Sequence, residues 1–171
     1  MKVFTTILIA LLISVSAFAQ EHRNNEIRLN LGTTIVGLYP EISYERIISN
    51  DLGIGASLGF GSGNEFALNF NFTPFVRWYS IDNQPNGRCR CGTGFFIEAN
   101  TAVFSYRNRY WDWHLERSVE SNTFDVGFGF GIGWKRLSRN HWTSEVLLGV
   151  GRGVVNDTFY PRVGVSIGRR F

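Results

Sequence analysis

Large apolar residues alternate with small or polar ones along almost the whole 171-residue chain after residue 24. The clearest run is 124–135, where six large apolar residues occupy the even positions and Asp125, four glycines and Lys135 occupy the odd ones. A period of two is that of a β-strand, whose successive side chains point to opposite faces of the sheet. The sequence therefore predicts an all-β fold.

The same alternation predicts eight strands separated by turns and loops. The strands are expected at residues 26–35, 41–48, 52–60, 67–78, 95–107, 124–135, 142–151 and 159–171. Short turns are predicted at 49–51 and 138–140, and outer loops at 37–40, 61–65, 108–122 and 152–158. An even number of strands would place both termini on one side of a barrel, normally the periplasmic side.

No apolar stretch after residue 19 approaches the roughly 20 residues of a membrane-spanning helix. A barrel could then turn its apolar face inward, as soluble barrels do, or outward against lipid. The polar face consists mainly of Gly, Ser, Asn and Thr with single charges of both signs, which suits a narrow interior. The apolar face is rich in Phe, and its charges, Arg46 and Arg169, stand near strand ends where long side chains can reach the membrane surface. We therefore predict an eight-stranded antiparallel transmembrane β-barrel.

Aromatic residues gather near the predicted strand ends, as in the girdles that membrane barrels place at both interfaces. They are Trp78, Tyr79, Phe95, Phe96, Trp134, Trp142, Phe159 and Tyr160. The sequence predicts that these rings lie at the membrane surface.

The N-terminus has the pattern of a cleavable export signal. Lys2 precedes an apolar run over 3–15, and Ala17-Phe18-Ala19 supplies a small-x-small cleavage pattern. An N-terminal membrane anchor is the alternative, but the apolar run is short for a spanning helix. We expect a signal peptide over 1–19, a short periplasmic tail over 20–24, and the barrel over 25–171.

Charged residues of both signs occupy the predicted inner face, and we call them the lumen charge network. They are Arg28, Glu41, Glu45, Arg77, Glu98, Asp125, Lys135, Glu145, Arg162 and Arg170, joined by Glu26. Charges inside a narrow barrel must pair or stay hydrated. The sequence therefore predicts a salt-bridged plug that closes the lumen, and the alternative is a narrow, gateable ion path opened by re-pairing of these charges.

The long predicted loop 108–122 contains Tyr110, Trp111, Trp113 and His114. Exposed aromatic residues on a loop can mark a binding surface. They could equally rest on the barrel rim beside lipopolysaccharide. The loop is therefore a candidate interaction surface.

Cys89 and Cys91 lie in the segment 81–94, which is long for a periplasmic turn. A disulfide is common in exported proteins, but a single intervening residue would strain it. A strained bridge, a pair of free thiols and a redox role stay open. A metal site is not predicted, because no His or further Cys is near.

The sequence favours neither an enzymatic nor a nucleic-acid function. His22, His114 and His141 stand apart in a tail, a loop and beside a turn, so no catalytic cluster and no cofactor site is predicted. A lipid-modifying activity through His114 with Ser118 or Ser121 is the less favoured alternative. The pI of about 9.1 reflects basic residues spread along the chain rather than a concentrated footprint. We expect no nucleic-acid partner.

The runs 25–31, 40–46 and 94–100 resemble a family of small outer-membrane barrels of unassigned function, within the broader group of OmpA/OmpX-like barrels. The terminal Phe171, at the end of the last strand, resembles the signal read by the outer-membrane assembly machinery. The resemblance implies an outer-membrane location, contact with membrane lipid and lipopolysaccharide, and a structural or surface-interaction role, with an envelope protein as a further candidate partner. It implies no catalytic residues.

Overall fold

A computed structural model of the chain describes residues 24–37, 39–61, 68–80, 91–112 and 117–171. Eight strands and one short helix follow one another in the order β1 (Asn25–Asn30), α1 (Leu31–Gly37), β2 (Glu41–Ile47), β3 (Leu52–Phe60), β4 (Leu68–Tyr79), β5 (Gly94–Asp112), β6 (Arg117–Leu137), β7 (Trp142–Gly153) and β8 (Phe159–Arg170). Each strand pairs antiparallel with the next, and β8 pairs with β1. The predicted closed, eight-stranded antiparallel barrel is confirmed.

The first strand, β1, and the last strand, β8, pair with each other and close the barrel wall. The backbone N–H of Phe171 donates to the carbonyl of Asn25 at 2.8 Å, and the N–H of Asn25 donates to the carbonyl of Phe171 at 3.1 Å. We call this end of the barrel the termini end and the opposite one the far end. The predicted leader over 1–19 and most of the tail over 20–24 lie outside the described residues.

The two faces of the wall differ as the alternation predicts. In β6, Phe130 is 69% exposed on the outer face, while Lys135 is 1% exposed on the inner one. All eight strands carry exposed large apolar side chains outside, and we call this surface the apolar belt. Its members include Ile27, Ile42, Leu58, Phe72, Ile97, Phe130, Leu148 and Val165. No described helix is long and apolar enough to cross a membrane.

Glycines on the inner face let neighbouring strands and long side chains approach closely. A Cβ added to Gly149 would lie 2.6 Å from the carbonyl oxygen of Phe130 and 2.9 Å from the Cα of Gly131. Both are backbone atoms, which cannot move aside without disturbing the pairing of β6 with β7.

Gly149→Ala is therefore expected to lower the free energy of unfolding by about 1–3 kcal/mol, as overpacking does elsewhere. Gly131→Ala on the facing strand is the matched control, because its Cβ would first meet the flexible end of Leu147, at 3.1 Å. Urea titration of both variants in lipid vesicles measures the difference. Equal losses in the two variants would contradict this account of the inner face.

The first strand is shorter than predicted, which corrects the expectation of a strand over 26–35. The chain leaves β1 at Asn30 and forms helix α1. The Oδ1 of Asn30 accepts the N–H of Thr33 at 3.4 Å, in the manner of an N-cap residue. Alternation continues through this segment, so the hydrophobic pattern did not reveal that Asn30 ends the strand.

The predicted outer loop 108–122 is also wrong, because β5 and β6 continue as a paired hairpin to Asp112 and from Arg117. The backbones of Tyr110 and Trp111 pair within it, opposite Val119 and Ser118. Trp113 and His114 lie outside the described residues. The predicted loop 152–158 is likewise shorter, since β7 continues to Gly153.

Three residues of the predicted aromatic girdle point inward instead. Tyr79 is 4% exposed and Phe96 is fully buried. The hydroxyl of Tyr160 donates to Asn100 at 3.0 Å inside the barrel. Trp78, Phe95, Trp134, Trp142 and Phe159 are exposed on the outer face, as the girdle requires.

Candidate functional site

The interior of the barrel is filled by charged side chains. All ten residues of the predicted lumen charge network, and Glu26 with them, occupy inward-facing positions, and they come from every strand except β3. All of them are buried apart from Glu41, whose side chain is 12% exposed. Pairwise contacts join most of them into one chain of ion pairs between the termini end and the far end.

Glu45 is the centre of the chain. Its Oε2 accepts hydrogen bonds from Arg28 at 2.6 Å, from Arg77 at 2.8 Å and from Lys135 at 2.8 Å. Its other oxygen accepts the hydroxyl of Tyr79. One carboxylate therefore joins cations from three different strands.

Two further carboxylates share the same cations. Glu26 Oε2 lies 2.8 Å from the guanidinium of Arg28 and 3.1 Å from the Nζ of Lys135. Glu145 Oε2 lies 2.7 Å from Arg77 and 3.4 Å from Arg28. Each of these cations therefore faces more than one carboxylate, which offsets the desolvation that burial imposes.

Arg77 connects this centre to the far half of the lumen. Its Nε donates to Glu98 at 2.7 Å, while its other nitrogens donate to Glu45 and Glu145. The guanidinium carbon also lies 4.3 Å from the ring centroid of Phe75 and 4.5 Å from that of Phe96. Cation–π contacts on both rings hold this arginine in the position from which it reaches three carboxylates.

Arg162 continues the chain toward the far end. Its Nε donates to Glu98, and its Nη1 lies 3.3 Å from Glu41. Asn30, at the end of β1, donates to the second oxygen of Glu41 at 3.0 Å. Asn100 donates to Glu98 at 3.0 Å. The carboxylates of Glu41 and Glu98 thus accept hydrogen bonds from neutral side-chain amides as well as from the cations.

Arg170 ends the chain at the termini end. It donates to Glu26 through two nitrogens and to the carbonyls of Cys91 and Gly92 at 2.7 and 3.1 Å. These carbonyls belong to residues 91–93, which directly precede β5 at the barrel mouth. Gly92 has φ +62°, and a Cβ there would lie 2.5 Å from the Ile47 side chain, so the segment requires glycine at this position.

An apolar cluster seals the same mouth. Ile47, Tyr79, Phe96 and Leu147 pack together, with Cys91 against them. The Sγ of Cys91 also donates to Asn50 at 2.9 Å. Cys89, its candidate partner in a disulfide, lies outside the described residues.

Asp125 has a different role from the rest of the predicted network. It is 1% exposed near the far end, and its carboxylate accepts the backbone N–H groups of Val155 at 3.0 Å and Asn156 at 3.2 Å. It therefore fixes the loop between β7 and β8.

The remaining network is balanced in charge. Five cations, namely Arg28, Arg77, Lys135, Arg162 and Arg170, meet five carboxylates, namely Glu26, Glu41, Glu45, Glu98 and Glu145. Among the residues that the structure describes, no group of His, Cys, Asp and Glu is arranged to hold a metal ion. Such an arrangement joins strands across the lumen.

Sequence reasoning missed Tyr79 and the amides of Asn30 and Asn100 as members of this site. Tyr79 follows Arg77 by two residues, so the alternation places it on the inner face, but its position at a strand end favoured the girdle. The alternation along the strand therefore predicted the direction of Tyr79 better than its residue type did.

Comparison with known proteins supports the fold. No family model matches the chain, and neither does any curated protein sequence. Among solved structures, the crystal structure of the N-terminal β-barrel domain of Pseudomonas aeruginosa OprF is similar, with a TM-score of 0.52 and 12% sequence identity. The alignment covers 89% of this chain and 100% of that one. At this identity the likeness shows the barrel fold alone.

Proposed function

We propose that this chain is an integral outer-membrane barrel whose lumen is closed by the lumen charge network, and that its role is structural or in surface interaction rather than enzymatic. One observation carries the proposal: the barrel is apolar outside and charged inside. Phe130 is 69% exposed, whereas Arg28, Arg77 and Lys135 are each 1% exposed.

An apolar outer wall around a charged interior fits a barrel that is surrounded by lipid rather than by water. Burial of apolar surface is favourable by about 25 cal/mol per Å², and the apolar belt leaves large side chains of all eight strands uncovered. Continuous apolar surface of more than a few hundred Å² marks an interaction with a membrane or a protein. A belt that encircles the whole wall fits a membrane, since a protein partner would cover one side.

The type of barrel supports an outer-membrane location. Outer-membrane barrels have an even number of antiparallel strands, an apolar outer band and a polar interior. The leader pattern over 1–19 supports export, and Phe171 at the end of the last strand supports recognition by the assembly machinery. Membrane lipid and lipopolysaccharide would then surround the belt.

A surface-interaction role would act through the hairpin of β5 and β6. These strands pair as far as Asp112 and Arg117, whereas β4 begins at Leu68 opposite Tyr106 and β7 ends at Gly153 opposite Gly127. Among the residues that the structure describes, the hairpin therefore extends beyond both neighbouring strands at the far end. An envelope or surface partner would meet it first.

The closed lumen is tested by conductance in planar lipid bilayers. Purified, folded protein is expected to give no stable conductance steps, because the ion-paired side chains of the lumen charge network join the strands across the passage and Arg170 binds the carbonyls of Cys91 and Gly92 at one mouth. Insertion is checked in parallel by protection of the barrel from added protease in vesicles. A stable open pore in protein that has inserted contradicts the plug.

A narrow gated ion path is the second candidate, favoured by the sharing of carboxylates. Lys135 lies 2.8 Å from Glu45, 3.1 Å from Glu26 and 3.9 Å from Glu145. A lysine with three carboxylates this close can change its ion-pair partner from one carboxylate to another, and such re-pairing would open an ion path. Brief, voltage-dependent conductance steps in the same bilayer experiment would support this candidate over the permanent plug.

A further inference from the structure

The outer wall of the barrel carries a furrow of about 740 Å³ that crosses β2 to β6. Its floor is made by the small outward-facing residues Ala56, Pro74, Ala99 and Thr101. Tyr44 and Arg46 stand at one end of the furrow, and Phe128 and Phe130 at the other. Most other outward-facing positions of the belt carry large side chains, with Ser144 and Pro161 as exceptions, so the furrow is a local depression in the lipid-facing surface.

The strand register gives the furrow a direction. One row of paired residues runs from Arg46 through Ile54, Val76 and Ala99 to Phe130. Arg46 stands next to the last residue of β2 at the termini end, while Phe130 stands in the middle of the belt on β6. Since barrel strands are tilted, a row across them rises along the barrel axis. The furrow therefore ascends from the edge of the belt into its centre.

Arg46 supplies a positive charge at the lower end of the furrow. Its side chain is exposed on the outer face, and it forms no ion pair or side-chain hydrogen bond with another described residue. Arg136 and Arg169 are also exposed outward near the termini end. None of the outward-facing strand residues whose side chains the structure describes is Asp or Glu. The described strand residues at this edge of the belt are thus cationic, and the exposed acid nearby is Asp51, in the turn between β2 and β3, whose carboxylate accepts the Ser49 hydroxyl at 2.6 Å.

The wall beside Arg46 is held in place. The hydroxyl of Tyr44 donates to the Oδ1 of Asn25 at 2.9 Å, which fixes the ring at the entrance of the furrow. A guanidinium at the membrane surface pairs well with a phosphate, often through two hydrogen bonds. An open apolar furrow that starts at that point can take a chain of methylene groups along its floor.

We propose that Arg46 and the furrow bind one anionic phospholipid, with its phosphate on the guanidinium and one acyl chain along the floor formed by Ala56, Pro74, Ala99 and Thr101. The volume of the furrow lies within the roughly 300–1,000 Å³ range of small-molecule sites. The inference rests on the proposal that the barrel spans a membrane, because the furrow faces lipid only there.

The site is tested by native mass spectrometry of the full, detergent-solubilised protein during titration with phosphatidylglycerol. One tightly bound lipid per barrel is expected. Arg46→Gln should weaken its binding at least about tenfold, since a charge-assisted contact is lost. Ala99→Trp, which fills the floor, should weaken it by at least as much. Arg136→Gln is the matched control, because it removes an exposed arginine of β6 that stands four strands from Arg46 and outside the furrow lining, and it should bind as the unaltered protein does.

Three results would overturn the site. Arg46→Gln could bind the lipid as tightly as the unaltered protein, or Arg136→Gln could weaken binding as much as Arg46→Gln, which would indicate ordinary surrounding lipid. A lipid-free dimer that Ala99→Trp abolishes would show that a second copy of the chain occupies the furrow. If Ala99→Trp does not fold, Thr101→Phe fills the same floor and replaces it.

This proposal and the membrane proposal fail separately. Protein that does not insert into vesicles contradicts the membrane-spanning barrel. Protein that inserts, but binds phosphatidylglycerol equally with and without Arg46, contradicts the lipid site alone.

Discussion

Replacing Glu45 by Gln is expected to lower the free energy of unfolding of the barrel by about 3–5 kcal/mol, the usual loss when one partner of a buried ion pair is removed. Gln has nearly the same shape, so the substitution removes charge and leaves the packing. Arg28, Arg77 and Lys135 all donate to one oxygen of Glu45, and each side chain is at most 2% exposed. The balanced network would then hold one uncompensated positive charge away from water.

The measurement is urea-induced unfolding of the variant in lipid vesicles, followed by tryptophan fluorescence. Asp157→Asn is the control, because the Arg152–Asp157 pair lies at the far rim with its side chains 61% and 70% exposed. Exposed pairs contribute little, so this variant should unfold at the same urea concentration as the unaltered protein. Equal behaviour of the two variants would mean that Glu45 is hydrated and that the lumen holds water rather than a plug.

Leu148→Arg is expected to lower the free energy of unfolding in vesicles by about 2–4 kcal/mol, the range for a cation on the lipid face near the bilayer midplane. Leu148 is 61% exposed, in the middle of β7, between Ile132 and Val163 of the neighbouring strands. If water surrounded the barrel, an arginine at so exposed a position would cost almost nothing.

Val155→Arg is the matched control, because Val155 is 70% exposed but belongs to the loop between β7 and β8. The loop lies at the far rim, where the depth-dependent loss falls to about 0–1 kcal/mol. The same urea titration compares both arginines. A loss at Leu148 no larger than that at Val155 would place the belt in water.

The alternation of residue types was sufficient to predict which side of the wall each charge occupies. Within β4, for example, Arg77 stands between Val76 and Trp78, and the pattern assigns it to the inner face, where it lies. The pattern could not predict its partners. Arg77 meets Glu145 of β7 across the lumen, and such a contact depends on the shear of the closed barrel, which no local period contains.

The errors in the strand boundaries have physical causes as well. Helix α1 keeps the alternating pattern of β1 and is marked only by the capping side chain of Asn30. In the outer part of the β5–β6 hairpin, at 107–112 and 117–122, the two backbones pair although the residue types do not alternate clearly. Polar and charged residues interrupt the apolar pattern at 107–112 and 117–122, so hydrophobic periodicity gives no signal there.

The most direct test of whether the apolar belt faces lipid is a scan of spin labels along β6. Single cysteines replace Phe124, Val126, Phe128, Phe130, Ile132 and Trp134 in turn, in a protein whose Cys89 and Cys91 are replaced by Ser. Collision rates with oxygen and with a water-soluble nickel complex are then measured in vesicles. Oxygen contact is expected to rise and nickel contact to fall toward Phe128 and Phe130, with the reverse toward both ends of the run. Uniformly high nickel contact along the six positions would contradict a membrane-spanning barrel.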